Sequence, residues 1–432
     1  MIGFTLFALF IVLMAAGVPI GVALGFGGLV AIAWANWDAP WMGLLAAPQN
    51  MQASIGKYPL LALPMFVLVG TIFDRSGVAQ RLVDFAVACV GRSSGMLPMV
   101  VVLVAMLLGG ISGSGPATAA AVGAVMIGAM FKAGYPAPFS ASVVGSAAAI
   151  DILIPPSIAF VVYSVSVPGT SVPAMFAAGM FPGLLAGVAL IIPAVWLSRR
   201  RGYGQAENAL PRPAFWRAFG RASWGLAAPV LILGGMRLGW FTPTEAAVVA
   251  VVYGLFVGMA IHRSIGLGDL YSIFREAAET SAVIMVVMAL AGIFAYSVST
   301  LGLADPVLEA VQAAGLSSTA ALLICLLILL LVGMVLDGVS IFLIFLPLLY
   351  PLMLLYRWDP VWFGVVLTMV IAIGQFTPPM AVNLMVSCRL AQVRMEQTLP
   401  HIFWLVLGFA VATLLVVVFP EIALWLPRSL GY

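Results

Sequence analysis

Apolar residues run in long, uninterrupted stretches along most of the chain, and short polar segments separate them. There are twelve such stretches: 2–16, 18–35, 58–74, 95–132, 138–166, 172–198, 224–240, 243–261, 280–299, 319–356, 361–388 and 402–427. An apolar run of about 18 residues or more can cross the hydrocarbon core of a bilayer as an α-helix. The pattern therefore predicts an all-α polytopic membrane protein.

Two of the stretches, 95–132 and 319–356, are too long for one span and too short for two comfortable ones. At 1.5 Å per residue, half of each stretch measures about 28 Å. Each also has a polar, glycine-containing interruption near its middle, which predicts a re-entrant hairpin whose tip lies at membrane depth. Counting these two as hairpins leaves ten full spans.

The charged residues support a membrane protein and predict its orientation in the membrane. Only 8% of the residues are charged, against about 25% in soluble domains, which excludes an ordinary soluble enzyme or a nucleic-acid binder. The most basic segment, 199–221, is placed in the cytoplasm by the positive-inside rule. This choice puts 14 of the 18 basic residues inside, Arg92 and Arg212 among them. Both termini are then periplasmic, and the first apolar stretch is expected to be retained.

The two halves of the chain resemble each other at an offset of about 223 residues. Three pairs of positions match: Pro19 with Pro243, 112–114 with 337–339, and 155–156 with 378–379. Each half holds five spans and one hairpin, and since five is odd, the second half must be inverted in the membrane. Inverted repeats with broken helices are typical of secondary transporters, whose binding sites lie near the midplane.

The helix breaks contain the candidate ion-binding chemistry. Ser112 and Ser114 at the first hairpin tip carry hydroxyls that can cap a helix or bind a cation. Asp337 at the second tip is a natural N-cap and a possible cation ligand. The spans that follow the hairpins break at two proline pairs, 155–156 and 378–379. Carbonyls that proline leaves free need partners, and sodium is a suitable one.

A second pattern concerns the substrate. No lysine or arginine lies in the middle of the predicted core spans, so an anion there depends on helix N-termini, hydroxyls and amides. The candidates for this role are Ser114, Thr118, Ser157, Thr377 and Asn383. The competing interpretation is that the prolines only kink these helices and the hydroxyls only cap them.

Taken together, these motifs resemble the large membrane (permease) subunit of tripartite ATP-independent periplasmic (TRAP) transporters, within the ion transporter superfamily. The most specific segments are GISGSGPATAAAVG at 110–123, ILIPPS at 152–157, FTPTEAA at 241–247, IGQFTPP at 373–379 and FPEIALWLP at 419–427. The resemblance covers nearly the whole chain in the same order and spacing.

The resemblance implies a symporter that imports small organic acids, dicarboxylates among them, across the bacterial inner membrane, with sodium ions as coupling ions. It implies an elevator motion and two separate partners, a periplasmic substrate-binding protein and a small four-helix membrane subunit. One sodium site would involve Ser112, Gly113, Ser114 and Pro155. The second would involve Asp337, Gly338, Gly374 and Thr377. No enzyme activity, nucleic-acid binding or further cofactor is expected.

Asp151 departs from the family pattern, which has a small residue, often glycine, at this position. It lies inside an apolar helix just before the first proline pair. An intramembrane carboxylate is costly and is a functional candidate by default. It is interpreted as an extra cation or proton site, a partner for a basic group of the small subunit, or a protonated core residue.

The chain is expected to divide into scaffold and transport segments. The segments are 1–94 (scaffold helices and arm of the first repeat), 95–170 (first hairpin and broken helix), 171–222 (last helix of that repeat and basic loop), 223–318 (scaffold helices and arm of the second repeat), 319–390 (second hairpin and broken helix) and 391–432 (last helix). The alternatives are a stand-alone sodium–carboxylate symporter and an ion channel. A serine protease is disfavoured because His262 and His401 lie at predicted span ends.

Overall fold

The structure is a computed structural model that describes residues 2–90, 95–205 and 214–432. Regular structure in these three ranges consists of helices, and they contain no β-strand. Arg92 and Arg212, which the charge pattern predicts to be cytoplasmic, lie outside the described residues. The prediction of an all-α protein is confirmed.

Eleven α-helices are described up to residue 200: α1 (Ile2–Ala15), α2 (Ile20–Ala35), α3 (Pro40–Leu44), α4 (Ala46–Ile55), α5 (Ala62–Arg75), α6 (Val78–Cys89), α7 (Leu97–Ser112), α8 (Gly115–Lys132), α9 (Ala137–Ala148), α10 (Ile158–Ser166) and α11 (Val172–Arg200). Ten are described after residue 214: α12 (Phe215–Arg237), α13 (Pro243–Phe256), α14 (Leu267–Thr300), α15 (Asp305–Ala313), α16 (Ser318–Gly333), α17 (Gly338–Tyr356), α18 (Pro360–Phe376), α19 (Val382–Ala391), α20 (Leu399–Val418) and α21 (Glu421–Ser429).

Seven described helical segments are long and apolar enough to cross a membrane: Tyr58–Arg75, Gly115–Lys132, Val172–Arg200, Pro243–Ile261, Leu267–Thr300, Gly338–Tyr356 and Met395–Val418. Several apolar helices of 10–17 residues accompany them. These lengths agree with a polytopic membrane protein. The count of ten spans, the inverted repeat and the periplasmic termini stay predictions.

The two predicted hairpins form as helix pairs joined by tight turns. In the first, α7 ends at Ser112, and Gly113 turns the chain with φ 64°, a conformation that favours glycine. In the second, Asp337 caps α17 by accepting hydrogen bonds from two backbone N–H groups of its first turn. The capping role predicted for Asp337 is thereby confirmed. The depth of both hairpins in a bilayer stays a prediction.

The spans that follow the hairpins are interrupted where the sequence places its proline pairs. α9 ends at Ala148 and α10 begins at Ile158, with the first pair in the gap. α18 ends at Phe376 and α19 begins at Val382, with the second pair in the gap. The predicted breaks are therefore present, and each leaves helix ends inside the protein.

The broken helices form the centre of the molecule. Every residue of α18 from Trp362 to Phe376 is buried, and so is every residue of α9 from Phe139 to Ala148. A helix that is buried on all sides is hydrophobic all round, as these two sequences are. The first gap is consequently enclosed by protein, whereas Pro379 and Met380 in the second gap are exposed.

Glycines let α2 pack closely on α14 at the periphery. A Cβ added at Gly28 would lie 3.2 Å from the carbonyl carbon of Ile293 and 3.0 Å from Oγ of Ser297. The Ser297 hydroxyl donates a hydrogen bond to the Gly28 carbonyl over 3.1 Å. Small residues at such contacts allow two helix backbones to approach closely, which is how helices associate in membranes.

This contact predicts that a larger side chain at position 28 destabilises the protein. Gly28→Leu should force α2 and α14 apart and destabilise the fold by about 1–3 kcal/mol. Gly234→Leu in α12 is the control, because nothing lies within 4 Å of a Cβ there. Thermal unfolding of the purified protein in detergent, followed by tryptophan fluorescence, should show a lower Tm for Gly28→Leu alone. Equal Tm values for the two variants would contradict the packing argument.

Candidate functional site

The tip of the first hairpin packs against the first helix break. A Cβ added at Gly113 would lie 2.6 Å from the carbonyl oxygen of Pro156, so only glycine fits this position. Ser112 is buried, and its Oγ has no hydrogen-bond partner. Pro155 is buried as well, and its carbonyl oxygen lies 3.6 Å from a Cβ added at Gly110. The hairpin tip thus contacts the proline carbonyls, while the Ser112 hydroxyl lies near Gly70 on α5, where an added Cβ would be 3.6 Å from its Oγ.

Asp151 lies in the same break and is completely buried. Its Oδ2 accepts a hydrogen bond of 2.7 Å from the hydroxyl of Thr118 on α8. The backbone N–H groups of Gly113 and Ser114 also interact with this carboxylate, although Oδ1 makes no hydrogen bond of normal geometry. Asp151 therefore ties the break to both sides of the hairpin tip.

The same hairpin tip reaches the second helix break. A Cβ added at Gly115 would lie 2.7 Å from Nδ2 of Asn383 and 3.0 Å from Oε1 of Gln375. The Asn383 amide donates to Gln375 Oε1 over 3.2 Å, and both side chains are buried. Oδ1 of Asn383 has no hydrogen-bond partner. The N-terminus of α8 consequently faces two amide side chains.

Gln375 also connects these groups to the second hairpin. A Cβ added at Gly338 would lie 3.5 Å from Nε2 of Gln375. Gly374 packs directly on the backbone of Gly333 at the end of α16, where an added Cβ would lie 2.6 Å from the Gly333 carbonyl oxygen. The carbonyl of Met334 accepts hydrogen bonds from two backbone N–H groups in the second break. The two hairpin tips and the two helix breaks are thus linked to one another through successive contacts.

We refer to these joined groups as the central polar cluster: Ser112–Gly115, Thr118, Asp151, Pro155–Pro156, Gly338, Gly374, Gln375 and Asn383. Five buried side-chain oxygen or nitrogen atoms in the described residues lack a hydrogen-bond partner, and three belong to this cluster: Ser112 Oγ, Asp151 Oδ1 and Asn383 Oδ1. Native proteins satisfy the large majority of such atoms. Their concentration here makes the central polar cluster the candidate ligand site.

Other predicted site residues are engaged in holding the helix ends. Ser157 caps α10, since its Oγ accepts from the Phe160 amide and its hydroxyl donates to the Ile152 carbonyl over 2.6 Å. The Thr377 hydroxyl donates to the Ile373 carbonyl over 2.6 Å. Asp337 is exposed and also accepts from the Ser340 hydroxyl. Ser114 lies at the N-cap position of α8 without a side-chain bond to that helix.

Gln375 is the residue that sequence reasoning missed. It lies in the IGQFTPP motif, where only the backbone carbonyls were considered. A signal was present, because an amide in an otherwise apolar helix needs a buried partner. In the described residues, none of the hydrogen bonds or ion pairs of lysine and arginine reaches the cluster.

The bond between Thr118 and Asp151 predicts a stability coupling. Thr118→Val keeps the shape but removes the donor, so it should destabilise the protein by about 1–3 kcal/mol. In an Asp151→Ala background the same change should cost at least about 0.5 kcal/mol less. Thr413→Val is the control, because that buried hydroxyl donates only to a carbonyl of its own helix. Thermal unfolding of the wild type, the two single variants and the double variant measures the coupling between the two residues. Strict additivity of their effects on stability would show that the bond is not formed.

Comparison with known proteins gives the family. Residues 7–422 match the family described as tripartite ATP-independent periplasmic transporter, DctM component. The chain is 38% identical over 378 residues to the C4-dicarboxylate TRAP transporter large permease protein DctM of Pseudomonas aeruginosa, covering 87% of each protein. It is 32% identical over 421 residues to the sialic acid TRAP transporter large permease protein SiaM of Vibrio cholerae, covering 97% of each.

Two further proteins extend the comparison. The chain is 36% identical over 392 residues to the isethionate TRAP transporter permease protein DctMQ of Oleidesulfovibrio alaskensis, covering 91% of this chain and 61% of that longer protein. Among solved structures, the YdaH transporter of Alcanivorax borkumensis has a TM-score of 0.63 at 16% identity, covering 89% of this chain and 90% of that one. At this identity the likeness shows the fold alone.

The matched relatives are transporter permeases and not enzymes. Together with the apolar helices, they identify the chain as a multi-pass protein of the bacterial inner membrane. The predicted family is confirmed: the chain belongs to the DctM family, the large permease subunits of TRAP transporters.

Proposed function

We propose that this permease carries a small organic anion into the cell at the central polar cluster, driven by a sodium gradient. The observation that carries the proposal is that the two hairpin tips and the two helix breaks make contact around a group of buried polar side chains, which none of the described bonds of lysine or arginine reaches. Helix N-termini carry partial positive charge and free N–H groups, which suit a carboxylate. Free carbonyls and hydroxyls suit sodium.

The substrate class follows from the chemistry of the cluster and from the relatives. The N-terminus of α8 and the amides of Gln375 and Asn383 offer hydrogen-bond donors without a fixed cation. Ser114, Thr118, Ser157, Thr377 and Asn383 remain the proposed substrate contacts, and Gln375 is added to them. Relatives are named for C4-dicarboxylate, sialic acid and 2,3-diketo-L-gulonate. These three are carboxylates, whereas the isethionate of the DctMQ relative is a sulfonate, so the proposed cargo is a small organic anion, with a carboxylate as the expected class.

Two sodium ions are proposed to travel with the substrate. The first would bind Ser112, Gly113, Ser114 and Pro155, because the Ser112 hydroxyl lacks a partner and the first hairpin lies against the carbonyls of the proline pair. The second would bind Asp337, Gly338, Gly374 and Thr377 near the second tip. Ser112 Oγ fits a ligand role, because it has no other bond in the described residues.

The transport cycle is proposed to be of the elevator type. The hairpins and broken helices, residues 95–170 and 319–390, would move as one body because the central polar cluster links them. Residues 1–94, 171–222, 223–318 and 391–432 would supply the scaffold, arms and terminal helices. The proposed partners are a small four-helix membrane subunit and a periplasmic binding protein that delivers the anion. The greater length of the DctMQ relative agrees with a second subunit carried on its chain.

Reconstitution tests this function directly. Proteoliposomes with the permease, the small subunit and the binding protein should accumulate the anion only under an inward sodium gradient. Omitting either partner, or replacing sodium by potassium, should abolish uptake of radiolabelled substrate. Uptake by the permease alone would favour the stand-alone sodium–carboxylate symporter. Substrate-independent ion current would favour the channel.

Asp151 is proposed to contribute an oxygen ligand to the first cation. Its Oδ1 is buried and unpartnered, so a bound cation would satisfy this oxygen and balance the charge of the carboxylate. Asp151→Asn should raise the sodium concentration for half-maximal uptake about tenfold, the effect of losing one charged hydrogen-bonding partner. Exposed Asp38→Asn is the control. Unchanged sodium and pH profiles of uptake would overturn the role of Asp151.

A further inference from the structure

A cavity of about 520 Å³ lies beside the second hairpin, apart from the central polar cluster. One wall is α14, from Met288 to Ser299, and the facing wall is α17, from Phe342 to Pro351. The end of α10 closes the side between them. The cavity is therefore formed between a scaffold helix and the proposed moving elements.

The cavity lies at one defined end of the helices. Arg75, at the C-terminus of α5, forms an ion pair of 2.6 Å with Glu276, which lies near the start of α14. The cavity contains Lys57, just before α5, and Ser299, near the end of α14. Because α5 and α14 pack together in opposite directions, the cavity opens at the end remote from that ion pair. In the proposed orientation this is the periplasmic end.

Lys57 is the only cation among the described residues that line the cavity. Its exposed ammonium donates a hydrogen bond of 2.7 Å to the carbonyl of Val165 near the C-terminus of α10. This bond joins the scaffold to the proposed moving part. An ammonium has three donors, so donors remain for another ligand.

The remaining polar groups of the cavity complement this charge. Ser54, Ser166, Ser299 and Tyr350 line the walls, and the hydroxyls of Ser54 and Ser166 donate to carbonyls of their own helices. Asp305 is the one carboxylate among the lining residues, and it lies in the first turn of α15 beside Gly302. An acidic group in a first turn stabilises the helix N-terminus, so its charge is partly balanced there. One ammonium with several hydroxyls suits a small carboxylate.

The cavity also leads toward the central polar cluster. Phe342, on its wall, is four residues beyond Gly338, which corresponds to about 6 Å along α17. The ring of Tyr163 on α10 packs against Phe342 with centroids 5.4 Å apart. The cavity thus borders an aromatic pair that lies about one helical turn from Gly338 of the cluster.

We propose that this cavity is the access vestibule for the organic anion and that the Lys57 ammonium is the first group to bind it. The proposal rests on the proposed function for the identity of the ligand. The incoming carboxylate binds the ammonium in place of the Val165 carbonyl. This exchange of partners breaks the hydrogen bond between the scaffold and the moving part.

The chain offers a sharp chemical test, because its two lysines are Lys57 and Lys132. Lys132 is exposed at the end of α8 and is the matched control. Right-side-out membrane vesicles containing the complete system are treated with a membrane-impermeant sulfonated succinimidyl ester, and labelled peptides are quantified by mass spectrometry. Succinate, isethionate and N-acetylneuraminate are the probes. At least one of them should slow labelling of Lys57 threefold or more, while Lys132 stays unlabelled.

The outcomes separate the vestibule from the transport function. Lys57 that is not labelled from outside, or is protected by none of the three anions, overturns the vestibule whether or not uptake occurs. Protection of Lys57 without sodium-driven uptake supports the vestibule and overturns the proposed function.

Substitutions of Lys57 separate charge from hydrogen bonding. Lys57→Gln keeps a donor for the Val165 carbonyl but lacks the charge. It should therefore raise KM about tenfold for the anion that protects Lys57, and KM should depend less on salt concentration. Lys57→Arg keeps the charge and should restore KM to within about threefold. Lys132→Gln is the control and should leave uptake unchanged. A normal KM for Lys57→Gln would overturn the role of the ammonium.

Discussion

The need to satisfy backbone hydrogen bonds away from water constrains every other part of this structure. Within a bilayer, irregular backbone is tolerated only where protein or a water-filled cavity surrounds it. This chain interrupts its helices four times, at two hairpin tips and two proline pairs. Each interruption leaves N–H and C=O groups without helical partners. Bringing the four together buries most of the first tip and the first proline pair, while Asp337 at the second tip and Met380 in the second gap stay exposed.

Close contact between backbones makes this arrangement possible. Gly113 lies against the Pro156 carbonyl, Gly115 against Asn383, and Gly374 against the backbone of Gly333. A side chain at any of these positions would separate the breaks. The cost is electrostatic, since oxygens of Ser112, Asp151 and Asn383 stay unpartnered in a buried place. Such atoms are expensive to bury, and a ligand that binds them recovers part of that cost. Packing at the breaks and the capacity to bind ligands therefore have one physical origin.

Much of the site could be predicted from sequence because its signals are local. Proline pairs remove donors from their own helix, and glycine with serine or aspartate marks a turn wherever it occurs. Hence the turn at Gly113, the cap at Asp337 and both breaks were expected. The pairings were not predictable in the same way. Thr118 and Asp151 are 33 residues apart, and no local pattern in either segment predicts that the two side chains form a hydrogen bond. Gln375 was overlooked because a buried amide is significant only once its neighbours are known.

The sequence by itself determined the class, the family and the positions of the breaks. Hydrophobic length, the distribution of charge and the chemistry of proline and glycine act over a few residues, so they can be read along the chain. The tertiary structure alone decided that Asn383 and Gln375 face the first hairpin. It also decided that Lys57 reaches across to α10. Contacts of this kind depend on how distant segments pack against one another, and packing is a property of the whole fold.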